Sequence, residues 1–122
     1  MATEQTDLVE PDGSSETITG RQEVRDGAVL LTVAGEVDAV TAPKLRTWMD
    51  EAFAADASPV VLDLSGVTFF GSVGLAMLVE YTDRGDLRTV APTRAVAAPI
   101  YLTTLDKVLK LYPDAEGALK TG

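Results

Sequence analysis

The stretch Ala28–Gly35, AVLLTVAG, is apolar at odd and even positions alike. A strand turns successive side chains to opposite faces, so such a run belongs at the centre of a sheet with both sides covered. Thr17–Val24 reads as a weaker strand beside it, and Asp26-Gly27 between the two is a hairpin turn signal. The rest of the chain must supply the covering layers.

It does so by alternation. Val37–Ala42 reads as a loop, with Thr41 placed to cap a helix and Pro43 in its first turn. Leu45, Trp48, Met49, Ala52 and Phe53 then fall at i, i+3, i+4, i+7 and i+8, a one-sided helical stripe that puts Trp48 in the core. Ala57-Ser58-Pro59 ends that helix. Val60–Leu64 is a short buried strand, with Asp63 ordering the loop that follows. Ser65–Gly71 reads as that loop, with Phe69 and Phe70 divided between core and surface. Ser72 opens a second helix with an inner stripe of Leu75, Leu78, Val79 and Thr82, closed by Gly85. Leu87–Ala91 is a third short strand of a parallel set. Thr93–Thr104 is helical in composition, but Pro99 kinks it or delays its start to about Ala98. Val108–Tyr112 and Asp114–Leu119 read as a last strand and a weak helix, with the chain fraying from Gly117 to Gly122. A hairpin followed by strand–helix–strand units predicts an α/β fold, a small mixed sheet of about 4–5 strands with helices packed against it.

With 122 residues, 46% of them hydrophobic, the chain is one domain. It has no Cys and no His, so disulfides, Ser-His-Asp and Cys-His catalysis and the commonest metal ligand are excluded. The acids form no calcium-loop pattern, and no metal is expected. Ten basic residues face nineteen acidic ones, a net charge of −9. Glu4, Asp7, Glu10, Asp12 and Glu16 stand within the first twenty residues, which hold no Lys or Arg. Residues 1–16 therefore read as a disordered acidic leader, and 17–119 as the folded domain. No basic stripe exists for a phosphate backbone, so no direct nucleic-acid partner is expected. No apolar run reaches the roughly 20 residues of a membrane span, and the first residues lack the basic and apolar parts of a signal peptide. The expected setting is cytoplasmic.

The loop after Val60–Leu64 carries the chemistry, because sites gather at the carboxyl ends of parallel strands. In Gly71-Ser72-Val73-Gly74, two glycines bracket a serine at a helix start. Three readings are open. Ser72 is a plain N-cap, or a nucleophile, or part of a phosphate loop. Phe70 stands where a nucleophile elbow needs Gly, and no His supplies a base. Gly66 and Gly71 have the phosphate-loop spacing, but Ser72-Val73 follows instead of Lys-Ser.

The stretch DLSGVTFFGSVGLAML resembles the signature of the STAS domain, the fold of bacterial anti-sigma factor antagonists. Upstream, LTVAGEVDAVTAPKLRTWMDEA resembles the family's other hallmark, a strand ending in Gly-Glu-x-Asp, a short loop and a helix with a leading Leu. The resemblance covers residues 17–112. It implies a protein that is not an enzyme, binds no cofactor, and associates with an anti-sigma factor that is itself a serine kinase and holds the ATP. Ser72 matches the serine that this kinase phosphorylates, which releases the partner, and a phosphatase would reset the switch. Asp38 matches the family acid beside it, with Gly35, Glu36 and Thr41 around it. Val73, Gly74, Leu75 and Met77 match the exposed start of the helix that faces the partner. Gly71 departs from the pattern, since most phosphorylated members carry Asp there. That departure favours an alternative, a STAS scaffold subunit of a signalling or transport complex without a phosphoswitch. Alone, such a chain is expected to be a monomer or weak dimer.

Overall fold

The computed structural model describes residues 6–7 and 17–120. Six strands lie in one sheet in chain order: β1 (Thr6–Asp7), β2 (Ile18–Arg25), β3 (Ala28–Val37), β4 (Val60–Phe70), β5 (Leu87–Val90) and β6 (Lys110–Tyr112). The first three are antiparallel and β3 to β6 are parallel, so the mixed α/β sheet expected from the sequence is present. The helices are α1 (Ala42–Ala54), α2 (Ser72–Thr82), α3 (Arg94–Leu102) and α4 (Ala115–Leu119), with a 3₁₀ turn at Leu105–Lys107. The two residues of β1 pair with Arg21 and Gln22 of β2, and the rest of the acidic leader lies outside the described residues.

The apolar run of β3 is central and doubly covered, as its pattern requires. Val29, Leu31, Val33 and Val37 join the main core with α1, α2 and α3. Ala28 and Leu30 point the other way, with Val61 and Val90, against Ala118 and Leu119 of α4. The hairpin Asp26-Gly27 has positive φ at both residues, 54° and 80°, the backbone of a two-residue turn that twists with its strands. Trp48 is core, 3% exposed, and packs so tightly over Gly20 that a Cβ there would lie 2.6 Å from its ring.

The sequence reading fails for β4. Residues expected to leave the sheet at Ser65 stay in it to Phe70, because β3 continues to Val37 and pairs with them. Two register shifts, each adding one residue to β4, fall opposite Thr32/Ala34 and Gly35/Glu36. A bulge breaks the period-two alternation by which a strand is recognised. The inner face of α2 is also turned from the expected one. Leu75 and Leu78 are buried, but Gly74, Met77 and Tyr81 complete the face, whereas Val79 and Thr82 are half-buried. The helix is apolar on most sides, so its phase is poorly marked in sequence. Pro99 is accommodated inside α3, and Thr103 donates from both N–H and Oγ1 to the Pro99 carbonyl. Of the end expected to fray from Gly117 to Gly122, residues 117–119 are helical and residues 121–122 lie outside the described residues. Asp114 caps α4 by accepting from the Gly117 N–H at 2.7 Å, and Arg88 donates to the carbonyls of Ala118 and Lys120 at 3.0 and 2.7 Å.

α1 and α2 are clasped on their outer side. Arg46 forms a two-pronged pair with Glu80 at 2.8 and 3.1 Å. Asp50 accepts from the Tyr81 hydroxyl at 2.6 Å and from Arg84 at 2.9 Å. The Tyr81 hydrogen bond, and then the Arg84 one, hold the Asp50 carboxyl below its ordinary pKa of 3.8. A carboxylate lowered on folding stabilises the fold above its ordinary pKa, and that stabilisation is lost as pH falls through the folded value. Asp50→Asn is therefore expected to lower stability at neutral pH and to shrink the loss between about pH 5 and pH 2. Urea unfolding of both proteins across that window tests it, and parallel curves would contradict it.

Gly35 makes a second prediction. Its φ is +108°, and a Cβ would lie 1.9 Å from the Thr17 carbonyl oxygen, which accepts from the Glu36 N–H at 2.9 Å. Gly35→Ala is expected to cost at least about 2 kcal/mol, read as a lower urea midpoint with unchanged slope.

Candidate functional site

The carboxyl ends of β3 and β4 form the site. The loop 38–41 leaves β3 for α1, and Gly71 joins β4 to α2. Because the two strands pair to their ends, through Glu36 with Phe69 and Val37 with Phe70, the two connections emerge side by side. The Gly71 N–H donates to the Val37 carbonyl at 2.9 Å and closes the ladder at the root of both loops.

The β3–α1 loop is built by two side chains. Asp38 Oδ1 accepts from the backbone N–H groups of Val40 at 2.9 Å and Thr41 at 3.0 Å. Buried Thr41 donates its hydroxyl to the Glu36 carbonyl at 2.8 Å and accepts from the Asp38 N–H at 3.0 Å. Thr41 does occupy the N-cap position of α1, but its side chain makes no capping bond to the helix. It is spent on the loop, a correction to the expected cap. Asp38 likewise acts as a turn builder, with one carboxylate oxygen committed to the backbone.

Ser72 is exposed and is the first residue of α2, while Gly71 holds the N-cap position with extended backbone. The plain N-cap reading of Ser72 is thereby removed. Gly71 accepts at its carbonyl from the N–H groups of Gly74 and Leu75, at 3.0 and 3.3 Å. The first N–H groups of a helix have no intrahelical acceptor, and the positive end of the helix dipole lies there. Ser72 thus stands exposed at the start of α2, one residue from the Gly71–Val37 hydrogen bond that roots the Asp38 loop, at a helix end favourable to negative charge.

The structure divides the other expected partner-facing residues. Glu36 is exposed, with its carboxylate accepting from the Thr17 hydroxyl at 3.3 Å, and Gly35, Asp38, Gly71 and Val73 are half-buried. Gly74, Leu75 and Met77 are not an exposed helix start. Leu75 is 9% and Met77 2% exposed, and both belong to the core. Gly74 is a packing residue, since a Cβ would meet the Phe70 ring at 2.7 Å. Asp63 does order the chain after it, accepting from the Ser65 N–H at 2.9 Å. Sequence reasoning missed Val40 and did not assign Phe69, two large apolar side chains 70% and 52% exposed, one on the β3–α1 loop and one at the end of β4. Phe70 is the buried member of its pair. Among the described residues no group of acids gathers as metal ligands. None of their helices is long and apolar enough to cross a membrane.

The STAS domain family profile matches residues 21–118. Two relatives in Mycobacterium tuberculosis, the anti-sigma-F factor antagonists RsfB and RsfA, are each 34% identical to the chain. The RsfB match covers 77% of this chain and 80% of the relative, and the RsfA match 77% and 79%. The crystal structure of an anti-sigma factor antagonist from Mycobacterium paratuberculosis superposes with a TM-score of 0.81 at 38% identity, covering 87% of this chain and 94% of that one.

Asp38 offers a test of the loop's construction. Asparagine keeps the Oδ1 acceptor and alanine removes it. Asp38→Asn is expected to change stability by less than about 0.5 kcal/mol and Asp38→Ala to cost about 1–2 kcal/mol, measured by urea unfolding. Equal losses in the two variants would mean that charge, not the accepted hydrogen bonds, is what the loop needs.

Proposed function

The chain belongs to the STAS domain family, and within it we propose that this protein is an anti-sigma factor antagonist switched by phosphorylation of Ser72. It binds an anti-sigma factor, which frees the sigma factor. The partner is a serine kinase, and it holds the ATP. The reading places the protein in the cytoplasm, without catalytic residues or a cofactor of its own.

The observation that carries this reading is the exposed Ser72 at the first position of α2, next to Gly71, whose N–H is bonded to Val37 at the root of the loop ordered by Asp38. Kinship with the anti-sigma-F factor antagonists supports the general role. Phosphoryl transfer would form an Oγ–P bond at Ser72 as ADP leaves, with the hydroxyl proton passing to a base of the kinase. Ser72 would gain about −1.5 to −2 charges at pH 7. The start of α2 tolerates that charge in the free protein. A partner packed over it does not, because a dianion stripped of water without a matching cation is costly. The modification would therefore alter affinity with little change of fold.

Gly71 keeps the scaffold reading in play, in which the chain binds its partners regardless of Ser72. The two readings are separated by the intact mass of the protein from its own cells, the modified site mapped, together with affinity capture by wild type, Ser72→Ala and Ser72→Glu. The switch predicts an added 80 Da at Ser72, the mass of a phosphoryl group. It also predicts an anti-sigma factor captured by wild type and Ser72→Ala, with recovery lowered at least about tenfold for Ser72→Glu. An unmodified Ser72 with identical capture by all three proteins would establish the scaffold instead.

A further inference from the structure

The antagonist reading says what the surface around Ser72 does; the structure also indicates where its affinity comes from. Val40 on the β3–α1 loop and Phe69 at the end of β4, 70% and 52% exposed, flank Ser72 along the chain and across the strand ends. Each stands on a hydrogen-bonded backbone. The Val40 N–H is tied to Asp38 Oδ1. Phe69 pairs with Glu36 in the sheet, and its ring leans over Gly71, where a Cβ would come within 3.3 Å of the ring edge. The bond from the Gly71 N–H to the Val37 carbonyl locks the two backbones together. Apolar side chains fixed before binding lose little conformational freedom on binding, so more of their burial appears as affinity.

The setting of this pair is anionic. The β3–α1 side of the pair carries Glu36 and Asp38, against Lys44 in the first turn of α1. A matching surface is therefore apolar at its centre and basic at its rim.

We propose that Phe69 and Val40 are the anchor of the contact with the anti-sigma factor, received by an apolar pocket of that partner with basic groups around it. The proposal rests on the antagonist reading and adds its physical mechanism. A basic rim would by itself attract a phosphate. What excludes phosphoserine is the seal made by the anchor, which leaves no water for a dianion at Ser72. The side chain at position 71 belongs to the same device. Glycine gives the Phe69 ring room to lie over the loop, and a larger residue presses on it.

The test titrates the anti-sigma factor recovered by wild-type capture, purified, into the full chain by calorimetry. The variants are Phe69→Ala, Phe69→Leu, Val40→Ala, Ser72→Glu and the double variant Phe69→Ala/Ser72→Glu. Phe69→Ala is expected to weaken Kd at least about tenfold, with Phe69→Leu between it and wild type and Val40→Ala weaker by about threefold. The penalty of Ser72→Glu should be at least about threefold smaller in the Phe69→Ala background. Val40 is so exposed that its truncation leaves the fold intact, and thermal unfolding of each variant checks this. Wild-type affinity in both Phe69→Ala and Val40→Ala would overturn the anchor and leave the antagonist reading standing. Weaker binding with an undiminished Ser72→Glu penalty would overturn the seal. A wild-type chain that captures no anti-sigma factor would overturn the antagonist reading, and the anchor with it.

Discussion

The parallel pairing of β3 with β4 governs everything at the carboxyl edge of the sheet. It continues for several residues beyond Thr32 and Asp63, the last partners in simple register, and absorbs two extra residues of β4 on the way. Had the strands parted at Leu64, the connections to α1 and α2 would have left the sheet at different heights. Because they part only after Val37 and Phe70, the Gly71 N–H reaches the Val37 carbonyl, and the Asp38 turn and Ser72 share one edge. The glycines serve this closeness. Gly35 admits the Thr17 carbonyl, and Gly74 lets α2 settle on the Phe70 ring.

The remainder of the molecule makes that edge rigid. α1 and α2 leave the two site loops and are fastened to each other by Arg46 with Glu80 and by Asp50 with Tyr81 and Arg84. On the opposite face the short α4 seals the sheet, pinned by Arg88. Individually these exposed ion pairs contribute little to stability. Together they join the body of α1 to the far end of α2, the end away from Ser72. The edge that bears Ser72 suits a switch in which charge is added or removed while the backbone stays in place.

The fold was legible because its strongest signals are local. The doubly apolar β3, the α1 stripe through Leu45, Trp48 and Ala52, the Asp26-Gly27 turn and the parallel order were all readable from spacing. Ser72 at a helix start between glycines was readable too, and the two motifs pointed to the family. Losses came where geometry overrides periodicity. Bulges hid the second half of β4. An almost wholly apolar α2 gives little phase: its stripe reads Leu75 as inner but Val79 and Thr82 with it, while the resemblance implies an exposed Gly74, Leu75 and Met77, all of which pack inward. Thr41 looked like a helix cap because its position is right, while its hydroxyl goes to the Glu36 carbonyl. The exposure of Val40 and Phe69 had no signal at all, since an apolar residue in a loop looks the same whether it faces in or out.

The second bulge of β4, at Thr68, has a consequence for how this segment can vary. Val67 points into the core, and by simple alternation Phe69 would follow it inward and Phe70 would face out. The extra residue reverses the pair, burying Phe70 and leaving Phe69 at the surface. Deleting Thr68 would remove the bulge and return the strand to simple alternation with Val67 in, Phe69 out and Phe70 in, so both rings would keep their present faces. Across related chains, a one-residue gap at this bulge would therefore leave the ring that holds α2 and the ring that meets the solvent where they are.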